Sequence, residues 1–354
     1  MYEAPEPIHN TLCNLATTRY KKLPSIDMVL ATTRHEKNIE VVALGEAMVE
    51  FNQTSPDQPQ YLQGFGGDTS NATIAAARAG VRTAYLTRLG DDNFAQQLRG
   101  LWATEGVNTE GVEVDSHSPT GIYFVTHGPT GHTFSYRRAD SAASKMNVNW
   151  LSGTPTAIIG RSKWLHISGI SLAISEQACN TVFAAIDIAR RTHTHVSFDS
   201  NLRLKLWSIE RARIHITNTI SRCDLFLPSL EDMIALTGLT DPEMITRWSH
   251  DQGAPRVVLK LGPKGALVSQ QRPVPNGKIT SPQYDAVLVP GHVVNMADAT
   301  GAGDCFCGNL LARLALGDDL LTAARYANTA ASLAVQNWGA VASLPTAQQV
   351  QAAL

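Results

Sequence analysis

The stretch DATGAGDCFCGNLLARL, residues 298–314, sets an aspartate directly behind a Gly-Ala-Gly bend and ahead of an apolar run. Phe306, Leu310 and Leu314 recur at steps of four and Gly317 follows, so the spacing predicts a helix beginning at the bend. A helix N-terminus leaves its leading N–H groups unpaired and carries partial positive charge. Gly301 and Gly303, on either side of Ala302, let those groups turn toward one point, so residues 301–303 are a candidate anion hole. Asp304 then reads in two ways. As a helix cap it contributes about 1 kcal/mol. As a general base it takes the proton of a hydroxyl attacking a phosphoryl group, worth roughly two to four orders of magnitude in rate. Spacing alone weights the two equally. The pattern is neither a Walker loop nor a Rossmann fingerprint, because no G-x-x-x-x-G-K-[ST] occurs and Phe306 stands where the last glycine is needed.

Such a site belongs beyond the carboxyl ends of parallel strands, where loops feed helices. The chain supplies that frame. IEVVALGE, RTAYLTRLG, KWLHISG, THVSFDS, CDLFLPS and PRVVLKLG read as strands, with YDAVLVPGHVVNMADAT supplying extended segments before the bend. TSNATIAAARAG, DNFAQQLRGLWATEG, SEQACNTVFAAIDIARR and SLEDMIALTG read as helices with polar starts or glycine stops. The alternation predicts an α/β fold: three layers around a mostly parallel central sheet. Two segments break it, at about 48–66 and 119–138; both alternate in polarity, and the second turns at GPTG. They predict a small β-strand lid, with edge strands of the main sheet as the alternative.

Composition narrows the function. With 354 residues, 44% hydrophobic and 17% charged, a well-packed core is expected over residues 39–354. A net charge of −2 without a basic block argues against nucleic acid or an anionic membrane as partner, and no apolar run is long enough for a span. Residues 1–38 lack periodicity and predict a disordered leader, with Met28 as an alternative start. The five cysteines, Cys13, Cys179, Cys223, Cys305 and Cys307, fit neither a disulfide framework nor a metal knuckle, which predicts a reduced, cytoplasmic protein. Cys305 and Cys307 read as core residues, and the eleven histidines as structural or surface groups.

The motifs also carry a resemblance. DATGAGDCFCGNLLARLALG resembles the C-terminal signature of the ribokinase-like, phosphofructokinase-B type carbohydrate kinases, and GFGGDTSNATIAAARAG resembles their sugar-binding Gly-Gly-x-x-x-Asn segment. LHISGISLAIS and VSFDSNLRLKLW are similar to the 2-keto-3-deoxygluconate kinases among them. The resemblance implies an ATP- and Mg²⁺-dependent kinase acting on the C6 hydroxyl of that sugar acid, with Asp304 as base; it leaves K⁺ activation open. It implies substrate contacts at Gly67, Asn71, Tyr123, Tyr136, Arg138 and Arg203, with Arg137 in place of Arg138 if the register slips by one. Paired arginines suit a carboxylate, which a neutral sugar lacks. For the nucleotide it implies Asn201, Lys260, Gly262, Gly265 and Asn328, with Lys264 beside them, and for the metal an indirect role for Glu231. Pro228 replaces the usual asparagine of the metal-supporting element, and Ala299 departs from the signature. A homodimer is expected, since lids of this type expose strand edges. The alternatives are a fructokinase or other ketose kinase of the same fold, and a sugar-acid binding protein without activity.

Overall fold

The computed structural model describes residues 36–56, 58–128, 131–271 and 284–354. The disordered leader expected over residues 1–38 lies outside them as far as residue 35, and so do residues 129–130 of the expected turn at GPTG. The strands are β1 (Ile39–Leu44), β2 (Met48–Gln53), β3 (Tyr61–Gly66), β4 (Thr83–Gly90), β5 (Val112–Asp115), β6 (Ile122–Gly128) and β7 (Gly131–Arg137). After them come β8 (Ser162–Ser168), β9 (His195–Asp199), β10 (Leu225–Phe226), β11 (Arg256–Lys260), β12 (Gly265–Gln271) and β13 (Tyr284–Pro290).

Nine strands form one sheet in the order β13-β12-β11-β10-β9-β8-β1-β4-β5. Pairing is parallel from β11 to β5 and antiparallel only at β11–β12 and β12–β13. The β1 strand is buried along its whole length. Its Val42 and Leu44 enter the apolar layer on one face, while Val41 and Ala43 enter layers on the other, as expected of a strand covered on both sides.

Helices cover those faces: α1 (Asp68–Arg78), α2 (Asn93–Thr104), α3 (Thr154–Arg161), α4 (Gly169–Ala173), α5 (Glu176–Arg191) and α6 (Ile209–Ile220), then α7 (Leu230–Thr237), α8 (Pro242–Asp251), α9 (Ala302–Leu316), α10 (Leu320–Ala334) and α11 (Ala347–Ala353). Local chemistry fixes their ends. Ser175, Ser229 and Asp241 cap α5, α7 and α8 through their side chains, each accepting from the third helical N–H. Gly238 and Gly317 close α7 and α9. The α1–α9 contact is unusually close, because a methyl group on Gly308 would fall 2.2 Å from the Ala72 carbonyl oxygen. This approach sets the first turns of α1 and α9 side by side.

The segments that break the alternation form a second sheet, in the order β3-β2-β6-β7. They are not edge strands of the large one. Register puts Glu50 beside Tyr123 and Tyr123 beside Tyr136, so these three share one face. On the other face Phe51 stacks on Phe124 and meets Phe94 of α2 edge-on.

Candidate active site

Strands β1, β8, β9 and β11 end at one rim of the large sheet, and the first turns of α1, α7 and α9 meet there. Gly301 adopts a left-handed conformation (φ 75°) that an L side chain would resist, and α9 starts from it. The Ala302 N–H is used up on the Ala299 carbonyl at 3.2 Å. The opening of the bend is therefore narrower than residues 301–303 suggest: among the described backbone bonds, the Gly303 and Asp304 amides at the head of the helix make none to the turn before them. Ahead of the bend, Asp298 accepts from Thr300 N–H at 2.9 Å and from Gly339 N–H at 3.0 Å, which pins the loop at both ends.

Asp304 keeps partial exposure, yet its carboxyl is crowded by protein. Asn71 Nδ2 donates to Asp304 Oδ2 at 2.8 Å. Burial first, then the charges of Asp68 and Asp199, push the Asp304 carboxyl up to about 7; Asn71 and Lys260 pull it back. One turn before Asn71 on the same helix, buried Asp68 accepts from Asn201 Nδ2 at 2.8 Å. Burial raises its proton affinity too, against the pull of the Arg203 charge. Two carboxylates thus share the mouth of the site, each held by one side-chain amide.

Behind them lies a third carboxylate. Asp199, at the end of β9, accepts from Lys260 Nζ at 2.7 Å and from the Cys307 thiol at 3.3 Å. A methyl group built on Gly303 would sit 3.6 Å from Nζ, so the ammonium lies against the bend. The Lys260 N–H donates to the Pro228 carbonyl at 2.8 Å. Proline thus anchors this element through its backbone, where the sequence shows only a missing side chain. Within α7, Glu231 is exposed, whereas Asp232 turns inward and accepts from Ser200 Oγ at 2.7 Å.

The small sheet supplies the opposite wall. The Tyr123 hydroxyl donates to Glu50, and burial and the Glu50 charge hold that phenol protonated. Arg138 pairs with the buried Glu46, whose other oxygen accepts from Ser141 Oγ at 2.5 Å. The Arg138 guanidinium lies 5.7 Å from the Tyr136 ring centre. Tyr136 feels both Arg203 and Arg138, which lower its proton affinity against the effect of burial. Arg203 is exposed and donates to the Leu202 carbonyl at 2.9 Å. Arg137 pairs with Ile122, on the sheet face opposite Tyr136, which favours the register with Arg138 on the site. Gly67 caps α1 at the rim, and its carbonyl accepts from Asn71 N–H at 2.8 Å.

The expected nucleotide residues divide. Gly262 and Lys264 are exposed in a short turn after β11, and Gly265 opens β12. Asn328 is buried in α10, and its amide donates to the Val289 and Pro290 carbonyls at 3.1 and 3.3 Å, so it braces the end of β13. Sequence reasoning missed Glu46, Asp68, Asp199 and Asp232. Only Asp68 and Asp199 carry a local signal, as the acids inside GGDTSN and DSN. Among the described residues no cluster of three or more His, Cys, Asp or Glu could hold a metal, and no helix is long and apolar enough to cross a membrane. Cys179, Cys223, Cys305 and Cys307 are buried and unbridged.

Comparison with known proteins accords with this arrangement. Residues 38–347 match the pfkB family of carbohydrate kinases. The 2-dehydro-3-deoxygluconokinase of Thermoproteus tenax is 32% identical, over 89% of this chain and 94% of its own. Probable fructokinase-4 of Arabidopsis thaliana is 29% identical over 92% and 99%. Among solved structures, fructokinase from Vibrio cholerae O395, bound to fructose, ADP and calcium ion, superposes with a TM-score of 0.76 at 30% identity, covering 90% and 99%. A putative ribokinase II from E. coli in complex with ATP and Mg²⁺ gives 0.77 at 25% identity over 88% and 97%. With its two sheets, its rim of acids and its Gly-Ala-Gly-Asp bend, this chain belongs to the pfkB family of carbohydrate kinases, phosphotransferases with a sugar hydroxyl as acceptor.

Proposed function

We propose that this sugar kinase transfers the γ-phosphoryl group of ATP to the C6 hydroxyl of 2-keto-3-deoxygluconate. The observation that carries the reading is Asp304: a carboxyl with raised proton affinity, gripped by Asn71 and set at the open amides of α9. A hydroxyl placed between Asp304 and the bend gives its proton to the carboxylate as its oxygen attacks phosphorus. The Gly303 and Asp304 amides meet the charge that develops on the transferring group. Lys260, against Gly303, adds a fixed positive charge from beneath. Mg²⁺ neutralises nucleotide phosphates when bound. The residues fit such an ion: Glu231 is exposed in the first turn of α7, and the Ser229–Lys260 bridge sets that turn beside the end of β11. A lone outer carboxylate suits a metal that keeps most of its water.

Acid specificity rests on Arg203 and Arg138, whose charges both act on Tyr136 across the site. Tyr136 and Tyr123 present hydroxyls from the same sheet face. A second reading, phosphorylation of fructose or another neutral ketose, draws support from the Arg138–Glu46 pair, which already neutralises one guanidinium. Kinases named for both substrates resemble the chain at about the same identity. ADP release over a panel of sugar acids and neutral ketoses separates the two. The first reading expects the keto-acid to be preferred, and Arg203→Gln to raise its KM at least about tenfold with little effect on neutral sugars. Equal effects on both classes favour the ketose. Asp304→Asn keeps sugar binding and lowers kcat at least about a hundredfold. Near-normal turnover in that variant removes Asp304 from the role.

A further inference from the structure

We propose that Asp199 is a positioning residue for phosphoryl transfer, holding the Lys260 ammonium against Gly303 at the floor of the anion hole. The inference rests on the kinase reading above and assigns a role to a carboxylate that reading leaves unused. Lys260 and Asp199 are both largely buried, with side chains 13% and 5% exposed. Three elements fix the ammonium: Asp199 of β9 at 2.7 Å, Cys307 of α9 at 3.6 Å, and the backbone of β11 that carries it. Asp199 is itself fixed, because its other oxygen accepts from Asn201 N–H at 3.2 Å. An unrestrained lysine follows the strongest nearby anion on a flexible four-carbon stem. This one is held where a transferring group passes over the bend. In the step, the bond from the γ-phosphorus to the bridging oxygen of ADP breaks and a bond to the sugar oxygen forms. The hydroxyl proton goes to Asp304, and Lys260 stays protonated throughout.

A carboxylate at this place has opposite effects on binding and turnover. Its negative charge opposes the arrival of an anionic nucleotide, while its grip places the cation for the moment of transfer. A purely structural role would instead weaken both together. The test is a double-mutant cycle with two readouts, in which ADP and a non-hydrolysable ATP analogue with Mg²⁺ are titrated by calorimetry, and kcat is taken at saturating ATP and sugar. Asp199→Asn is expected to bind both nucleotides as tightly as the wild type or tighter, and to lose about 10- to 100-fold in kcat. Lys260→Met is expected to lose both affinity and kcat. The double variant should turn over within about twofold of Lys260→Met, since Asp199 acts through Lys260. It removes both members of a buried pair and leaves no stranded charge, so it decides the matter even where Asp199→Asn alone fails to fold. A double variant further impaired than Lys260→Met overturns the proposal, as does an Asp199→Asn protein that loses nucleotide affinity and kcat in parallel. Wild-type protein that binds nucleotide but phosphorylates no sugar overturns the kinase reading and this inference with it. A working wild-type kinase with an additive cycle overturns this inference alone.

Discussion

Burial among like charges holds the Asp304 carboxyl near about 7, so the range in which it can accept a proton begins around neutrality. Below that point it is protonated and cannot serve as base; above it the carboxylate is fully available. A profile of kcat/KM against pH is therefore expected to rise about tenfold per unit on its acid side, bend near 7 and run flat toward pH 9. The groups facing Asp304 set the sign: Asp68 from α1 and Asp199 from β9 raise its proton affinity, and Lys260 from β11 and the Asn71 amide lower it. Removing a raising charge should move the bend to lower pH, so Asp68→Asn should shift it downward by a fraction of a unit or more. A bend that stays near 4 in the wild type would mean that another group, or no base at all, limits the reaction.

At the scale of elements, the site depends on how closely α1 and α9 pack. Asn71 reaches Asp304 only because Gly308 lets the two helices touch at the Ala72 carbonyl. The clash that Gly308→Ala creates is with backbone, which cannot rotate away, so the helices must separate. The expected cost is about 1–3 kcal/mol in stability, read as a lowered urea midpoint, together with a fall in kcat as Asn71 loses its hold. Unchanged stability would show that the contact is looser than its geometry implies. The helices themselves are legible in the sequence, because their signals are local: Ser229 and Gly238 bracket α7, and Gly301 and Gly317 bracket α9. The expected mostly parallel sheet and the α/β class are borne out as well. Other features leave no such trace. CDLFLPS reads as a full strand, yet β10 spans only two residues. The acid pairs that charge the site join residues 133 apart, for Asp68 and Asn201, and 61 apart, for Asp199 and Lys260. They are made by strand order, which brings separate loops to one rim, and no sequence period encodes that. Cys307 shows the same limit. Its type and spacing say core, and it is buried, but its thiol also touches Asp199.

The molecule divides unevenly between its two sheets. Layers of apolar side chains cover both faces of the nine-stranded sheet, whereas the small sheet's own buried cluster is Met48, Tyr123 and Val125, with Phe134 and Tyr136 packed against it. Leu62 on β3 is 70% exposed, so that edge is little covered. The small sheet is tied to the body mainly through β2 and β3: Val49 is buried in the body's apolar layer with Phe51, Phe65 and Ile122 packed against it, and β3 runs directly into α1. No described residue of β6 or β7 other than Ile122 reaches that layer. Opening free energies fall where few buried apolar contacts resist them. Backbone amides of β6 and β7 are therefore expected to exchange with deuterium at least about tenfold faster than those of β1, β8 and β9 in the free protein. If Tyr123, Tyr136 and Arg138 close on a sugar acid held over Asp304, ligand contacts add to the few that β6 and β7 make alone. Exchange in β6 and β7 should then slow when 2-keto-3-deoxygluconate and ADP with Mg²⁺ are added together, and slow less with ADP alone. Equal protection by nucleotide alone would place the effect on the body of the molecule and remove the small sheet from substrate closure.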